Sequence, residues 1–406
     1  MPTRNCSCAW LCLFCLACAN AGLAVGPNVA LLDNGARLAL LGAGQGAAGA
    51  VAVAFAVPEG WVGPPEVFPA RGWRTARCAS AAQAIEALGG ELAIEKRPES
   101  LVLCAAGLEE RLPGVARALG ELVRALPEEV AAGEGTRAPL DVVDEVHCVA
   151  LAAMFRLALR PATAEAYRAV LCGRRCGAAV VGRADIARRA GEALRLASLP
   201  AGPAPKWPAV SPRFSAVPYR HAGATEWLLL TFAGPPWDSP DEPVFAVVRA
   251  LLGAGNSGLL FRELRHRRRL AYRVGAQWDP ARSRSHLSIW AAVEPGHGRE
   301  ALAGVQAVLE ELRRGPSEGD IARARRRVRL ERELGEQRSA ARAARVARAL
   351  ALGVALENVT GTHYLGAPSN VSRKDVCRIA QKYLSRWCAV HSVPSARAGC
   401  VLPGVG

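Results

Sequence analysis

The feature that most constrains the fold is a plan repeated twice along the chain. Residues 91–95 and 101–105 alternate as a hairpin, and an amphipathic helix follows with Leu112, Val115, Leu119, Leu122 and Val123 on one face. Residues 272–277 and 286–293 form a second hairpin, followed by a helix over 298–314 with Leu302, Val305, Val308, Leu309 and Leu312. Val115, Leu119 and Leu122 fall in the same order as Val305, Leu309 and Leu312. The correspondence extends outward. The buried strand 48–57 is answered by 227–233. The helix and strand within 163–181 are answered by a helix capped by Ser372 and a strand over 388–392. The expected fold class is α+β: two homologous α/β sandwich domains, each an antiparallel-rich sheet with helices packed on it, related by internal duplication.

Residues 198–217, SLPAGPAPKWPAVSPRFSAV, hold five prolines and few good helix or strand formers, which marks a linker. The expected division is a targeting segment 1–24, a first domain 25–197, the linker 198–217, a second domain 218–397 and a tail 398–406. In the first segment Arg4 precedes the apolar run 9–19, too short to span a bilayer, so a signal peptide and export to the bacterial periplasm are expected. Leu16-Ala17-Cys18 is a weak lipoprotein match, because Cys15 stands where that pattern wants an aliphatic residue. No later stretch is long and uncharged enough for a transmembrane helix. Asn34-Gly35 reads as a hairpin turn. Thr163, Ser239 ahead of Pro240, Ser317 and Ser372 read as helix N-caps.

An excess of 51 Lys and Arg over 36 Asp and Glu gives a net charge of +15. Much of it lies in 323–348, where arginines alternate with apolar and acidic residues without interleaved aromatics or a nucleic-acid motif. A solvated helix face is expected there, and no nucleic-acid partner. Five of thirteen cysteines lie in the first eighteen residues, and the rest are scattered. Cys172 and Cys176 lack a second Cys/His pair at zinc-ribbon spacing and read as buried thiols, with a local disulfide open to them on export. The cluster Asp144-Glu145-Val146-His147 lacks a second histidine and reads as a polar helix surface. Ser257 lies among glycines, but no G-x-S-x-G frames it as a hydrolase nucleophile.

Residues 251–275, LLGAGNSGLLFRELRHRRRLAYRVG, form the most distinctive stretch. An apolar helix breaks at a glycine turn, Gly253, Gly255 and Gly258, a short helix resumes over 259–268, and a strand begins near Ala271. Arg265 and Tyr272 carry a guanidinium fork and a phenol, both able to hydrogen-bond a peptide carbonyl. This stretch resembles the C-terminal-half signature of the insulinase/pitrilysin-type (inverzincin) zinc peptidases, and Arg265 and Tyr272 match that family's substrate-binding Arg–Tyr pair. Taken alone, Arg265 reads as a surface helix residue and Tyr272 as a core aromatic. In this context the pair reads as functional.

The resemblance also carries an absence. The family's catalytic half places H-x-x-E-H on the helix after the second strand. The corresponding residues 58–80 have four prolines and no histidine, and none of the seven histidines has another four residues away. The resemblance therefore implies a chain without a zinc site and without catalytic residues, inactive alone. It would bind peptide opposite the active site of a homologous zinc-bearing partner chain, which would hold the cofactor. The alternative is a purely structural member, as the core subunits of the respiratory cytochrome bc1 complex are.

Overall fold

The computed structural model describes residues 28–43, 47–60, 73–133, 142–157, 163–221, 223–253 and 255–394. The targeting segment 1–24 and the tail 398–406 lie outside them. In the first half the chain runs β1 (Asn28–Leu31), β2 (Arg37–Leu41), β3 (Ala48–Ala56), α1 (Ala76–Ala87), β4 (Glu91–Arg97), β5 (Ser100–Leu108), α2 (Leu112–Gly133), α3 (Val142–Phe155), α4 (Ala164–Val170), β6 (Cys176–Val181) and α5 (Ala184–Ala193). Residues 200–215 hold no helix or strand. The second half begins with β7 (Ala216–His221), β8 (Glu226–Ala233), α6 (Glu242–Gly253), a π-helical turn Phe261–Arg267, β9 (Ala271–Asp279) and β10 (His286–Val293). It continues through α7 (Gly298–Arg314), α8 (Glu318–Gln337), α9 (Ser339–Leu352), α10 (Gly361–Gly366), α11 (Arg373–Tyr383) and β11 (Cys388–Pro394).

Among the described residues the strands form two sheets, ordered β1-β2-β6-β3-β5-β4 and β7-β11-β8-β10-β9. In the first, β2 runs parallel to β6, while β6–β3, β3–β5 and β5–β4 are antiparallel. In the second, β7 runs parallel to β11, while β11–β8, β8–β10 and β10–β9 are antiparallel. The same directions recur in the same chain order, and β1 is the one addition. The fold is thus mixed α/β with a duplicated plan.

Strand β3 explains how the first sheet is covered on both faces. Val51, Val53 and Phe55 enter a core with Leu112, Val115, Leu119 and Leu122 of α2, while Ala50, Ala52, Ala54 and Ala56 face Ala343, Val346, Ala347 and Leu350 of α9. Small side chains on that face let the helix lie close to the sheet. Gly177 in β6 marks the closest approach: a Cβ there would stand 2.4 Å from both Ala347 O and Ala351 N. The second sheet is covered reciprocally. Its inner face packs Leu230, Phe232 and Ile289 against Phe245, Val305 and Ile379, while α3 from the first half lies on the other face. There Val146 and Val149 meet Leu229 and Val390, and Leu151 and Phe155 meet Cys388. Each half thus supplies the helix that seals the other half's sheet.

Two expectations are corrected by this exchange. The arginine run is not one solvated helix, because the chain breaks at Arg338 into α8 and α9 and the second of these is a core element. Arg332 and Arg348 are buried at 5% exposure, Arg332 on the Glu242 carboxylate at 2.7 Å. The Asp144–His147 cluster is a polar surface only in part: Asp144 is exposed, but Val146 is buried and His147 is half-buried against the second sheet. The caps at Thr163, Ser317 and Ser372 receive the backbone N–H of Ala166, Asp320 and Asp375, and Ser372 with Asp375 completes a capping box. Ser239 instead accepts from Asp241 N, one residue ahead of α6. Cys172 and Cys176 are buried free thiols.

The halves also meet at the tips of their equivalent hairpins. Glu99, fully buried, accepts the backbone N–H groups of Arg282 and Ser283 at 2.8 and 3.0 Å and the Arg284 guanidinium at 3.2 Å. Asp279 accepts Arg97 and Arg348 at 3.1 and 3.0 Å, and Arg348 also donates to Ser100 Oγ at 2.9 Å. Burial pushes the Asp279 carboxyl up, but the Arg348 and Arg97 guanidiniums outweigh it and hold it at about 2.

Under α3 lies a polar cluster. The Nε2 atoms of His147 and His286 are 3.4 Å apart, Ser288 Oγ is 3.1 Å from His147 Nε2, and His286 Nδ1 donates to Arg284 O at 3.0 Å. Burial lowers both rings, the charge each would place beside the other lowers His147 further, and Asp279 opposes the shift only in part. Arg348 and Arg97 also disfavour a charge on His286.

Two measurements test these contacts. Gly177→Ala drives a methyl into backbone atoms that cannot swing aside, and should destabilise the fold by roughly 1–3 kcal/mol. It should lower the denaturant midpoint with little change in slope, and an unchanged midpoint would disprove the close approach. His147 stays neutral in the fold, with a pKa lowered from 6.5 to about 4, so the unfolded chain binds more protons across that window. Its contribution is complete above pH 6.5 and is lost as pH falls toward 4, by about 3 kcal/mol. His147→Gln should flatten that part of the stability–pH curve, and an identical slope in the variant would refute it.

Candidate functional site

The glycine turn sets the direction of everything that follows it. Gly253 ends α6 against β9, where a Cβ would stand 2.5 Å from Ala276 N, and Gly255 adopts a left-handed φ of +68°. Gly258 closes the turn by donating to Gly255 O at 3.1 Å and accepts Arg262 N at 3.0 Å. Leu259, Leu260 and Leu264 are buried and anchor the π-helical turn, which sits against Gly304 of α7. The buried Glu263 carboxylate holds its far end by accepting Arg267 and Arg268, each at 2.7 Å. Arg269, at φ +57°, turns the chain into β9.

This frame brings Arg265 and Tyr272 together. Arg265 Nη1 donates to Tyr272 O at 3.0 Å, and its guanidinium stacks at 5.1 Å over both the Phe261 and the Tyr272 rings. Two aromatic faces and a carbonyl thus hold the fork in place without a carboxylate. Tyr272 is 78% exposed, and its hydroxyl has no hydrogen-bond partner among the described residues. The core-aromatic reading of Tyr272 is therefore excluded.

Beside the pair runs a groove of about 550 Å³, open to solvent, lined among others by Arg269, Arg273, Trp227, Glu294 and His297. It lies where β9 begins, beside the end of β10, and β9 is the edge strand of its sheet among the described residues. Arg273 stacks 5.9 Å over Trp227, its neighbour two strands away on the same face. Phe261, Arg269 and Arg273 escaped the sequence reading. The arginines stood in a stretch of like residues of which Arg265 alone was singled out, and the stacking role of Phe261 appears only when the turn winds as a π-helix.

The described residues contain no group of three or more His, Cys, Asp or Glu side chains placed to hold a metal ion. Residues 61–72, within the segment that stands where H-x-x-E-H is expected, lie outside them, and the sequence there has no histidine. The donor set therefore does not fit the family's zinc ion. No described helix is long and apolar enough to cross a membrane.

Residues 180–328 match the family model described as the peptidase M16 inactive domain. A peptidase M16 inactive domain from Pseudomonas fluorescens is similar in structure, with a TM-score of 0.73 at 17% identity over 93% of this chain and all of that one. A protease from Helicobacter pylori gives 0.74 at 14% identity over 91% and 99% of the two chains. A chain of complex III2 from Candida albicans gives 0.65 at 14% identity over 91% and 96%. No curated protein matches the sequence. Residues 180–328 thus match the peptidase M16 inactive domain, the chain as a whole shares the fold of solved M16 structures, and its sequence holds no H-x-x-E-H motif.

Proposed function

We propose that this chain is the non-catalytic subunit of a zinc metallopeptidase, exported to the periplasm and paired with a homologous zinc-bearing chain. It holds an extended peptide substrate opposite that partner's active site. The observation that carries this reading is the state of Tyr272: an exposed phenol with a free hydroxyl, fixed against a pre-stacked Arg265 on an open sheet edge. A residue kept only for packing would hide that ring. The unpaired edge of β9 can add a peptide strand through backbone hydrogen bonds, while Arg265 and Tyr272 donate to a peptide carbonyl. Bond cleavage belongs to the partner, since this chain lacks the zinc ligands and the general base.

The likeness to a chain of complex III2 favours a second reading, an assembly member with no part in proteolysis. Tyr272→Phe removes one hydroxyl, and Arg265→Lys keeps the charge while losing the planar fork. In the reconstituted heterodimer each should lower the peptidase rate at least about tenfold with assembly intact. Normal turnover by both would leave the pair as scaffold and favour the second reading. The isolated chain should cleave no peptide, and chelator-sensitive proteolysis by it would overturn the assignment of roles.

A further inference from the structure

Around the π-helical turn six arginines fall within twelve residues, and the fold sorts them into two sets. Arg262 pairs with Asp320 at 3.1 Å, and Arg267 and Arg268 pair with Glu263. Arg262 thus meets a carboxylate of α8, while Arg267 and Arg268 share one within the turn itself. Arg265, Arg269 and Arg273 line the groove and have no carboxylate partner among the described residues, and Glu294 is the one acidic side chain in the lining. Arg265 and Arg273 are instead held by aromatic rings, which orient a guanidinium without cancelling its charge.

We propose that this groove selects an acidic extended peptide, an inference that rests on the peptide-holding role of Arg265 and Tyr272. Three unneutralised forks beside a sheet edge suit a strand that carries carboxylates at alternate positions. Such side chains repeat along one face of an extended chain every two residues, about 6.6–6.8 Å apart. Arg265 and Tyr272 hold the backbone, and Arg269 and Arg273 set the charge preference as specificity residues. A nucleic acid would match the charge but not the backbone donors and acceptors of β9, and Tyr272 offers it a single exposed ring rather than a stacking series.

The test uses the full chain and fluorescein-labelled peptides of equal length, one rich in glutamate, one neutral and one rich in lysine, followed by fluorescence anisotropy. The acidic peptide should bind at least about tenfold more tightly than the neutral one, with an affinity that falls as salt rises. Arg269→Ala with Arg273→Ala should abolish the preference, bringing the affinity for the acidic peptide down to that for the neutral one. Arg326→Ala, on the exposed face of α8, should alter neither, which separates the groove from the net charge of +15. Tyr272→Phe should weaken all peptides alike. Equal binding of all three peptides, still sensitive to Tyr272→Phe, would overturn the charge preference and leave the peptide-holding role standing. Absence of all peptide binding would remove both. A single-stranded oligonucleotide that outcompetes the acidic peptide, and loses its grip in the double variant, would reassign the groove to nucleic acid.

Discussion

The relative placement of the two halves depends on the charges buried where their hairpin tips meet. Arg97, Glu99 and Ser100 come from one tip, Asp279 and Arg284 from the other, and Arg348 reaches in from α9. Taking such ions out of water costs several kcal/mol each, so their attraction does not add stability freely. What it adds is specificity. Glu99 needs the backbone donors at residues 282 and 283, and Asp279 needs two guanidiniums from different elements. A shift of even one residue in the docking would leave a buried charge unmatched, an error of roughly 3–5 kcal/mol. Apolar tips would have tolerated sliding.

That specificity is required by the exchange of helices. Because α3 seals the second sheet and α9 the first, neither half buries its own outer face. The alanine face of β3 and the missing side chain of Gly177 have a partner only when the second half is in place. The proline-rich segment therefore joins two units whose cores are completed by one another, and cutting there would expose apolar surface on both sides. The hairpin-tip ions and the exchanged helices thus work as one device: helices supply burial, ions supply register.

Much of this was legible in the sequence where local pattern decides structure. The strands, hairpins and capped helices follow from alternation, from the 3.6-residue period and from Ser or Thr at helix starts. The glycine turn was legible because three glycines within six residues leave few backbone options. What misled was the assumption that arginine and histidine face water. Arg348 is buried because Asp279, 69 residues away, waits for it, and His147 because Ser288 and His286 do. The His147 match joins the two halves and the Arg348 match joins distant elements of one half, so no local window of sequence contains both members. The same limit hid the sorting of the arginines around the turn, since a run of like residues gives no sign of which ones meet Glu263 or Asp320.

The sorting also explains why the site can stay open without unsettling the fold. A guanidinium left to solvent would sample many rotamers, and fixing it on substrate would cost that freedom at the moment of binding. Arg265 has already lost it, clamped between Phe261 and Tyr272 and tied to a carbonyl. The clamp uses rings rather than a carboxylate, so the charge remains available. The scaffold beneath is rigid for independent reasons, because Leu264 sits against Gly304 and Glu263 is locked by two arginines. Tyr272 contributes little buried area at 78% exposure, so the core has no need of its ring, while the posture of Arg265 does. A pair built in this way is held in one posture before anything binds, which is what the proposed peptide-holding role at the edge of β9 requires.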